Sequence, residues 1–151
     1  MADPAREIEN LLYTYAERID AGDLAGVADL FSHGRIAPSP DAPPDMRFEG
    51  RERVLALYRG SARIYDDDGT PHTKHVTTNA IIEVDDGADS ASARSYYTVF
   101  QRVEDMPLQP IIAGRYRDTF RRIDGRWWFD TRIILVDLVG DLSRHLQYEL
   151  G

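Results

Sequence analysis

The sequence predicts an α+β domain in which a curved antiparallel sheet wraps three helices. Two observations carry that prediction. Up to about residue 65 the apolar residues recur at helical spacing, whereas after Gly69 the period changes to the alternation of extended chain. Helices therefore come first and a meander of strands follows.

The first helix runs from Pro4 to about Ile19, with Ile8, Leu11, Leu12, Tyr15 and Ile19 on one face, Asp3 as N-cap and Pro4 at the first helical position. Ala21-Gly22-Asp23 breaks it. Asp23 then caps a second, short helix, LAGVADLF, whose Leu24, Val27, Ala28 and Phe31 fall on one side, giving a helical hairpin. Residues 32–49 differ in kind: Pro38, Pro40, Pro43 and Pro44 rule out a helix and fit a loop flanked by short extended pieces, a candidate lid. A third helix follows from about Arg51 to Tyr65, with Val54, Leu55, Tyr58, Ala62 and Tyr65 inward, and Asp66-Asp67-Asp68-Gly69 stops it. Residues 74–84, 91–103, 110–123 and 126–138 read as long strands separated by DDGAD, EDMPLQ and the tight turn Ile123-Asp124-Gly125-Arg126. Residues 141–150, DLSRHLQYEL, read as a short helix or a loose tail.

A length of 151 residues suits one domain that buries its own core. The absence of cysteine excludes a disulfide framework, thiolate chemistry and a zinc–cysteine cluster. Eighteen basic against 26 acidic residues give a net charge of −8, spread along the chain, which opposes binding to a phosphate backbone, so nucleic acid is not an expected partner. The start MADPAREIENLL carries charges where a secretory segment needs an apolar run, and no stretch approaches the roughly 18 apolar residues of a membrane span. The expectation is a cytoplasmic protein with no membrane contact.

Three residues stand out for chemistry. Strict alternation on the strand 74–84 puts His75, Thr77, Asn79 and Ile81 on one face and Val76, Thr78, Ala80, Ile82 and Val84 on the other. A polar row backed by an apolar one faces either solvent or a lined cavity. His72 lies three residues from His75 and so on the opposite face of an extended chain, which argues against a shared metal ion. Asp20 ends the first helix, where the negative end of the macrodipole disfavours a carboxylate, so either a further partner or the Ala21-Gly22-Asp23 turn holds it there. Tyr15 precedes it by five residues, about 140° away around an unbroken helix. Both reach one cavity only if the helix ends near Ile19. Arg132 shares a row with Trp128, Asp130, Ile134 and Val136, and in such a row it needs an anionic or hydrogen-bonding partner, of which Asp118 is one option.

The order of elements, together with Tyr15-Ala-Glu-Arg-Ile-Asp20-Ala-Gly-Asp23, Phe48-Glu-Gly50, His75-x-x-x-Asn79, Gly114-x-Tyr116-x-Asp118-x-Phe120 and Asp124-Gly125-Arg126-Trp127, resembles the SnoaL-like branch of the nuclear-transport-factor-2-like superfamily over nearly the whole chain. The resemblance implies a cone with an internal cavity. Members similar to scytalone dehydratase, hexachlorocyclohexane dehydrochlorinase and bile-acid dehydratase keep an aspartate at the end of helix 1 and a histidine at the head of the first long strand. Asp20 and His75 stand at those positions. In the last two enzymes an arginine follows the final strand's tryptophan by five residues, as Arg132 follows Trp127. Tyr15 matches a tyrosine of the bile-acid enzyme, where the dehydrochlorinase has lysine. The chain departs in its longer proline-rich loop, and in having Tyr96 or Tyr97 where scytalone dehydratase has a second histidine on the strand 91–103.

What the resemblance implies is a cofactor-independent, metal-free lyase of dehydratase type, or an isomerase of ketosteroid type, acting on a small hydrophobic or aromatic hydroxylated molecule. His75 moves the proton, Asp20 fixes its tautomer, Tyr15 bonds the leaving group or carbonyl, and Arg132 stabilises negative charge. Phe31, Tyr58, Tyr65 and Trp127 are candidate pocket walls, with Asn79, Tyr97, Tyr116 and Asp118. The alternative is a non-catalytic binder or a structural subunit like the small chain of ring-hydroxylating dioxygenases. Sheets of this fold pack on copies of themselves, and an outer row of Trp128, Ile134 and Val136 suits a homodimer or homotrimer.

Overall fold

The computed structural model describes residues 3–148. Helix α1 (Pro4–Asp20) begins as its sequence requires: the Asp3 carboxylate accepts from the Ala5 N–H at 3.0 Å, and Pro4 takes the first position. Its buried stripe is Ile8, Leu12, Tyr15, Ala16 and Ile19. Helix α2 (Leu24–Asp29) is capped by Asp23, which accepts from the Gly26 N–H at 2.9 Å. Helix α3 (Arg51–Ser61) stops short of the predicted Tyr65. There Ala62 turns to extended backbone and bridges Leu146, while the Gln147 N–H donates to the Ser61 carbonyl and the Arg63 N–H to that of His145. The far end of the chain competes for the backbone groups that a further helical turn would have used.

Strands β1 (Arg35–Ala37), β2 (Phe48–Glu49), β3 (Thr73–Asp85), β4 (Ser90–Val103), β5 (Met106–Ile123) and β6 (Arg126–Val139) form one six-stranded sheet in the order β2-β1-β6-β5-β4-β3. The meander β3 to β6 is antiparallel throughout. The short extended pieces flanking the proline-rich loop join it, and β1 lies parallel to β6, so the sheet is mixed rather than purely antiparallel. The β5–β6 turn has Asp124 at φ 51° and Gly125 at φ 80°, the two positive values a two-residue hairpin loop requires. Strand β5 starts earlier than expected and carries Pro107 and Pro110. Pairing with β6 begins only at Ile112, so on that side these prolines break no ladder. The sheet curves around the helices without closing, and its hollow holds a core that includes Ile8, Leu12, Val27, Phe31, Val54, Val99, Ile111, Phe120 and Phe129.

Two irregularities reset the alternation that the sequence predicts. In β3 the register shifts between Thr78 and Ile81, with Asn79 at φ 56°; the inward set runs Thr73, His75, Thr77, then Ala80, Ile82 and Val84. Asn79 is left exposed. In β6, Asp130 is the extra residue between the pairs Phe120–Phe129 and Thr119–Thr131. Trp127 and Phe129 therefore face inward and so do Arg132, Ile134 and Val136, while Trp128, Ile133 and Leu135 take the outer row. Ile134 and Val136 are thus removed from the proposed oligomer face. The proline-rich loop is not a lid: its Ala42 packs with Ala37 on Ile133, outside the sheet. Among the described residues, no helix is long and apolar enough to cross a membrane.

Candidate active site

The turn that ends α1 is pressed against the turn that precedes β3. Gly22 sits at φ 76°, and a Cβ there would lie 2.0 Å from the Gly69 carbonyl oxygen, so only glycine permits this approach. The contact carries Asp20 to the head of β3. One carboxylate oxygen accepts from the His75 backbone N–H at 2.8 Å; the other accepts from the Thr73 hydroxyl at 2.9 Å and from His75 Nδ1 at 2.7 Å. These donors account for an acid at a helix C-terminus. Burial alone would raise the Asp20 pKa, but the bonds and charge from His75, with the Thr73 bond, outweigh it and hold the carboxyl below its ordinary value. A carboxylate only accepts, so Nδ1 carries a proton, and in the neutral ring His75 Nε2 keeps a bare lone pair.

His75 borders a cavity of about 200 Å³ inside the cone, walled by Tyr15, Tyr58, Tyr97 and Tyr116 and by apolar side chains such as Ile19, Val99, Ile112 and Ile134. Tyr15 and Tyr58 share a short hydroxyl–hydroxyl hydrogen bond. Tyr97 stacks on Tyr116 at 4.5 Å and donates to the Leu135 carbonyl at 2.9 Å; a Cβ at Gly114 would lie 2.6 Å from the Tyr97 hydroxyl oxygen. Burial pushes all these phenols above their ordinary pKa, so they act as neutral donors.

Arg132 does not reach the cavity. It is fully buried, forked onto Asp118 at 2.8 and 3.0 Å, with its guanidinium 3.6 Å from the ring centre of Tyr116 and 4.3 Å from that of Tyr15. Burial works against its charge, but Asp118 outweighs that and keeps the pKa above the ordinary value. Arg132 and Asp118 thus support two wall tyrosines from behind. Asp20 likewise lies behind His75 while Tyr15 faces the hollow, as the angle between them on α1 demands.

Several expected wall residues lie elsewhere. Phe31 sits beneath Tyr15 and stacks on Phe129 at 4.9 Å. Trp127 is core under the Arg122 guanidinium, and Asn79 is exposed at the bulge. Tyr65, freed from α3, donates to the Arg144 carbonyl and stacks on His72 at 4.7 Å. His72 bonds Asp67 at 2.9 Å, on a different surface from His75. Asp118 is consumed by Arg132. What sequence reasoning missed is the segment after β6. Its Leu142, His145 and Leu146 close one side of the cavity, held by the Gln101 side-chain amide on the Arg144 carbonyl at 3.0 Å. Their i, i+3, i+4 spacing was the available signal. Burial, aided by His75, pushes the His145 imidazole down to about 4.

Solved structures share this architecture. A protein of unknown function with a cystatin-like fold from Nostoc punctiforme is 26% identical with a TM-score of 0.73, covering 94% of this chain and 97% of that one. An NTF2-like protein with a cystatin-like fold from Novosphingobium aromaticivorans is 25% identical with a TM-score of 0.70, covering 87% and 80%. A protein from the same organism described as a candidate scytalone dehydratase is 22% identical with a TM-score of 0.70, covering 97% and 89%, a likeness of fold. No curated protein matches. The model of the SnoaL-like domain matches residues 2–133, in keeping with the curved six-stranded cone, and this chain belongs to the SnoaL-like domain family.

Proposed function

We propose that the protein is a cofactor-independent lyase of dehydratase type, acting on a small neutral ring compound that bears a hydroxyl β to a carbonyl. The observation that carries this reading is the Asp20–His75 hydrogen bond of 2.7 Å behind an imidazole that borders a tyrosine-walled cavity. An apolar cavity of roughly 150 Å³ holds benzene, so about 200 Å³ suits one or two rings. The described lining includes no lysine or arginine, so a carboxylate ligand has no counter-charge.

His75 Nε2 takes the proton from the carbon beside the carbonyl, and Asp20 stabilises the imidazolium. The C–H electrons become the new C=C bond, the C–O bond breaks, and the departing hydroxyl takes the proton back from His75 and leaves as water. Tyr15, with Tyr58 behind its hydroxyl, hydrogen-bonds the carbonyl as negative charge develops. Arg132 acts through the tyrosines and touches no substrate. The likeness of fold to a candidate scytalone dehydratase supports the reaction class. Returning the proton to a different carbon would make the same machinery an isomerase.

A screen of one- and two-ring β-hydroxy ketones, followed by the ultraviolet absorbance of the conjugated product, tests the proposal. Turnover is expected in the wild type and lost in His75→Ala with an unchanged circular dichroism spectrum. Undiminished turnover in that variant overturns the role of His75. Saturable binding without turnover favours a non-catalytic binder.

A further inference from the structure

We infer that His145 is a second functional imidazole of this cavity, donating a hydrogen bond from Nε2–H to an uncharged carbonyl or hydroxyl oxygen of the ligand. The inference deepens the proposed function in that it takes the same cavity as the ligand site.

His145 is 8% exposed and borders the cavity, and its ring meets that of His75 edge to face, 6.0 Å between centres and 66° between planes. The backbone on either side is tied down: the His145 N–H donates to the Leu142 carbonyl at 3.0 Å, and its carbonyl accepts from the Arg63 N–H at 2.8 Å. The backbone that carries the ring cannot swing out without breaking the junction with α3.

The tautomer follows from the surroundings of Nδ1. His145 Nδ1 is sealed from solvent and has no hydrogen-bond partner among the described residues. A buried N–H left without an acceptor is rarer and costlier than a bare acceptor. A neutral imidazole carries one proton, which therefore resides on Nε2. His75 is the opposite case, since Asp20 holds its proton on Nδ1. The two rings thus offer the cavity different chemistry: His75 a lone pair that accepts a proton, His145 an N–H that polarises an oxygen. Burial and the neighbouring His75 push the His145 pKa down to about 4, which keeps the donor neutral near pH 7. A neutral donor also avoids placing a second positive charge beside the imidazolium that His75 becomes.

The probes are 1-tetralone, a neutral two-ring ketone, and tetralin, its hydrocarbon counterpart. The infrared carbonyl stretch of bound 1-tetralone is expected to shift to lower frequency in the wild type and in His75→Gln, to lose part of that shift in His145→Phe, where Tyr15 remains as donor, and to regain some of the loss in His145→Gln, whose amide donates. Affinity for 1-tetralone should fall roughly 2- to 10-fold in His145→Phe, with tetralin unchanged. An unshifted stretch in the wild type, a shift undiminished in His145→Phe, or no saturable binding of either probe overturns the inference. Should His145→Phe fail to fold, nitrogen-15 NMR of the wild type decides: an Nε2–H tautomer whose resonance moves with 1-tetralone supports it, and an Nδ1–H tautomer overturns it. None of these readouts uses turnover, so an inactive protein that still shows the His145-dependent shift would retain this inference and lose the lyase.

Discussion

Asp20 holds His75 at two points, the backbone N–H at 2.8 Å and ring Nδ1 at 2.7 Å, with one carboxylate oxygen for each. The first bond fixes where β3 begins relative to the end of α1, and the second fixes which ring nitrogen is free. One side chain therefore sets both the position and the tautomer of the imidazole.

Asp20→Asn should disrupt both. An amide has one acceptor oxygen where the carboxylate has two, so at least one of the Thr73 and His75 donors loses its partner, at a cost of about 1–3 kcal/mol in stability. Nitrogen-15 NMR should show His75 shifting from the Nδ1–H tautomer to a mixture, and turnover should fall by roughly 10²–10⁴. The pH dependence has a definite sign. The Asp20 pKa is lowered below 3.8 on folding, so its contribution is present above that value and is lost as the pH falls through the folded pKa. Acid unfolding curves of Asp20→Asn should lack that contribution.

His145 predicts a second, separate acid limb. Its pKa drops from 6.5 to about 4 on folding, so below pH 6.5 the unfolded chain binds a proton that the folded one refuses. Stability should be complete above pH 6.5 and decline as the pH falls toward 4, by on the order of 3 kcal/mol. The titratable groups acting on the ring are His75, whose protonated form lowers the pKa, and Asp20, which opposes it. Urea denaturation between pH 4 and 7 should show this slope in the wild type and not in His145→Phe; equal slopes would refute the assignment.

The Arg132–Asp118 pair should behave asymmetrically. Asp118→Ala strands a fully buried guanidinium and should cost about 3–5 kcal/mol, with Tyr15 and Tyr116 disordered in near-ultraviolet circular dichroism. Arg132→Met combined with Asp118→Leu removes both charges and should recover most of that loss. A double variant as unstable as Asp118→Ala would show that packing, not charge burial, governs the site.

Gly22→Ala tests how the dyad is assembled. The added methyl would need to occupy space held by the Gly69 carbonyl, and L residues with a Cβ rarely adopt a φ of 76°. The expected result is a loss of more than roughly 1 kcal/mol in chemical denaturation. A weakened Asp20–His75 bond should accompany it, seen as a change in the His75 ring resonances.

Elements built from neighbours in sequence were legible in advance. Asp3-Pro4 and Asp23 cap helices, four prolines mark a loop, and Asp124-Gly125 turns a hairpin, because each is a short-range requirement that the residues meet on the spot. The resemblance to SnoaL-like proteins supplied the Asp20–His75 pairing, which spacing alone left open. It also offered Arg132 as a group that meets substrate, where the structure instead shows a buried prop.

The remainder depended on contacts that the local pattern does not encode. Alternation placed Asn79 beside His75 and Ile134 on the outer face, and it failed at both because one extra residue at Asn79 and another at Asp130 let the sheet curve, reversing the side chains that follow. Whether a strand takes in such a residue is decided by its partner strand and by the helices it must enclose. The end of α3 and the placing of His145 have the same origin, since Ser61, Ala62 and Arg63 meet residues more than eighty positions later. Residue types therefore determined the helices, the hairpins and the kind of chemistry at hand. Which imidazoles share one hollow was left to tertiary packing, because sheet curvature and chain-end closure arise only when distant segments compete for the same backbone groups and the same interior space.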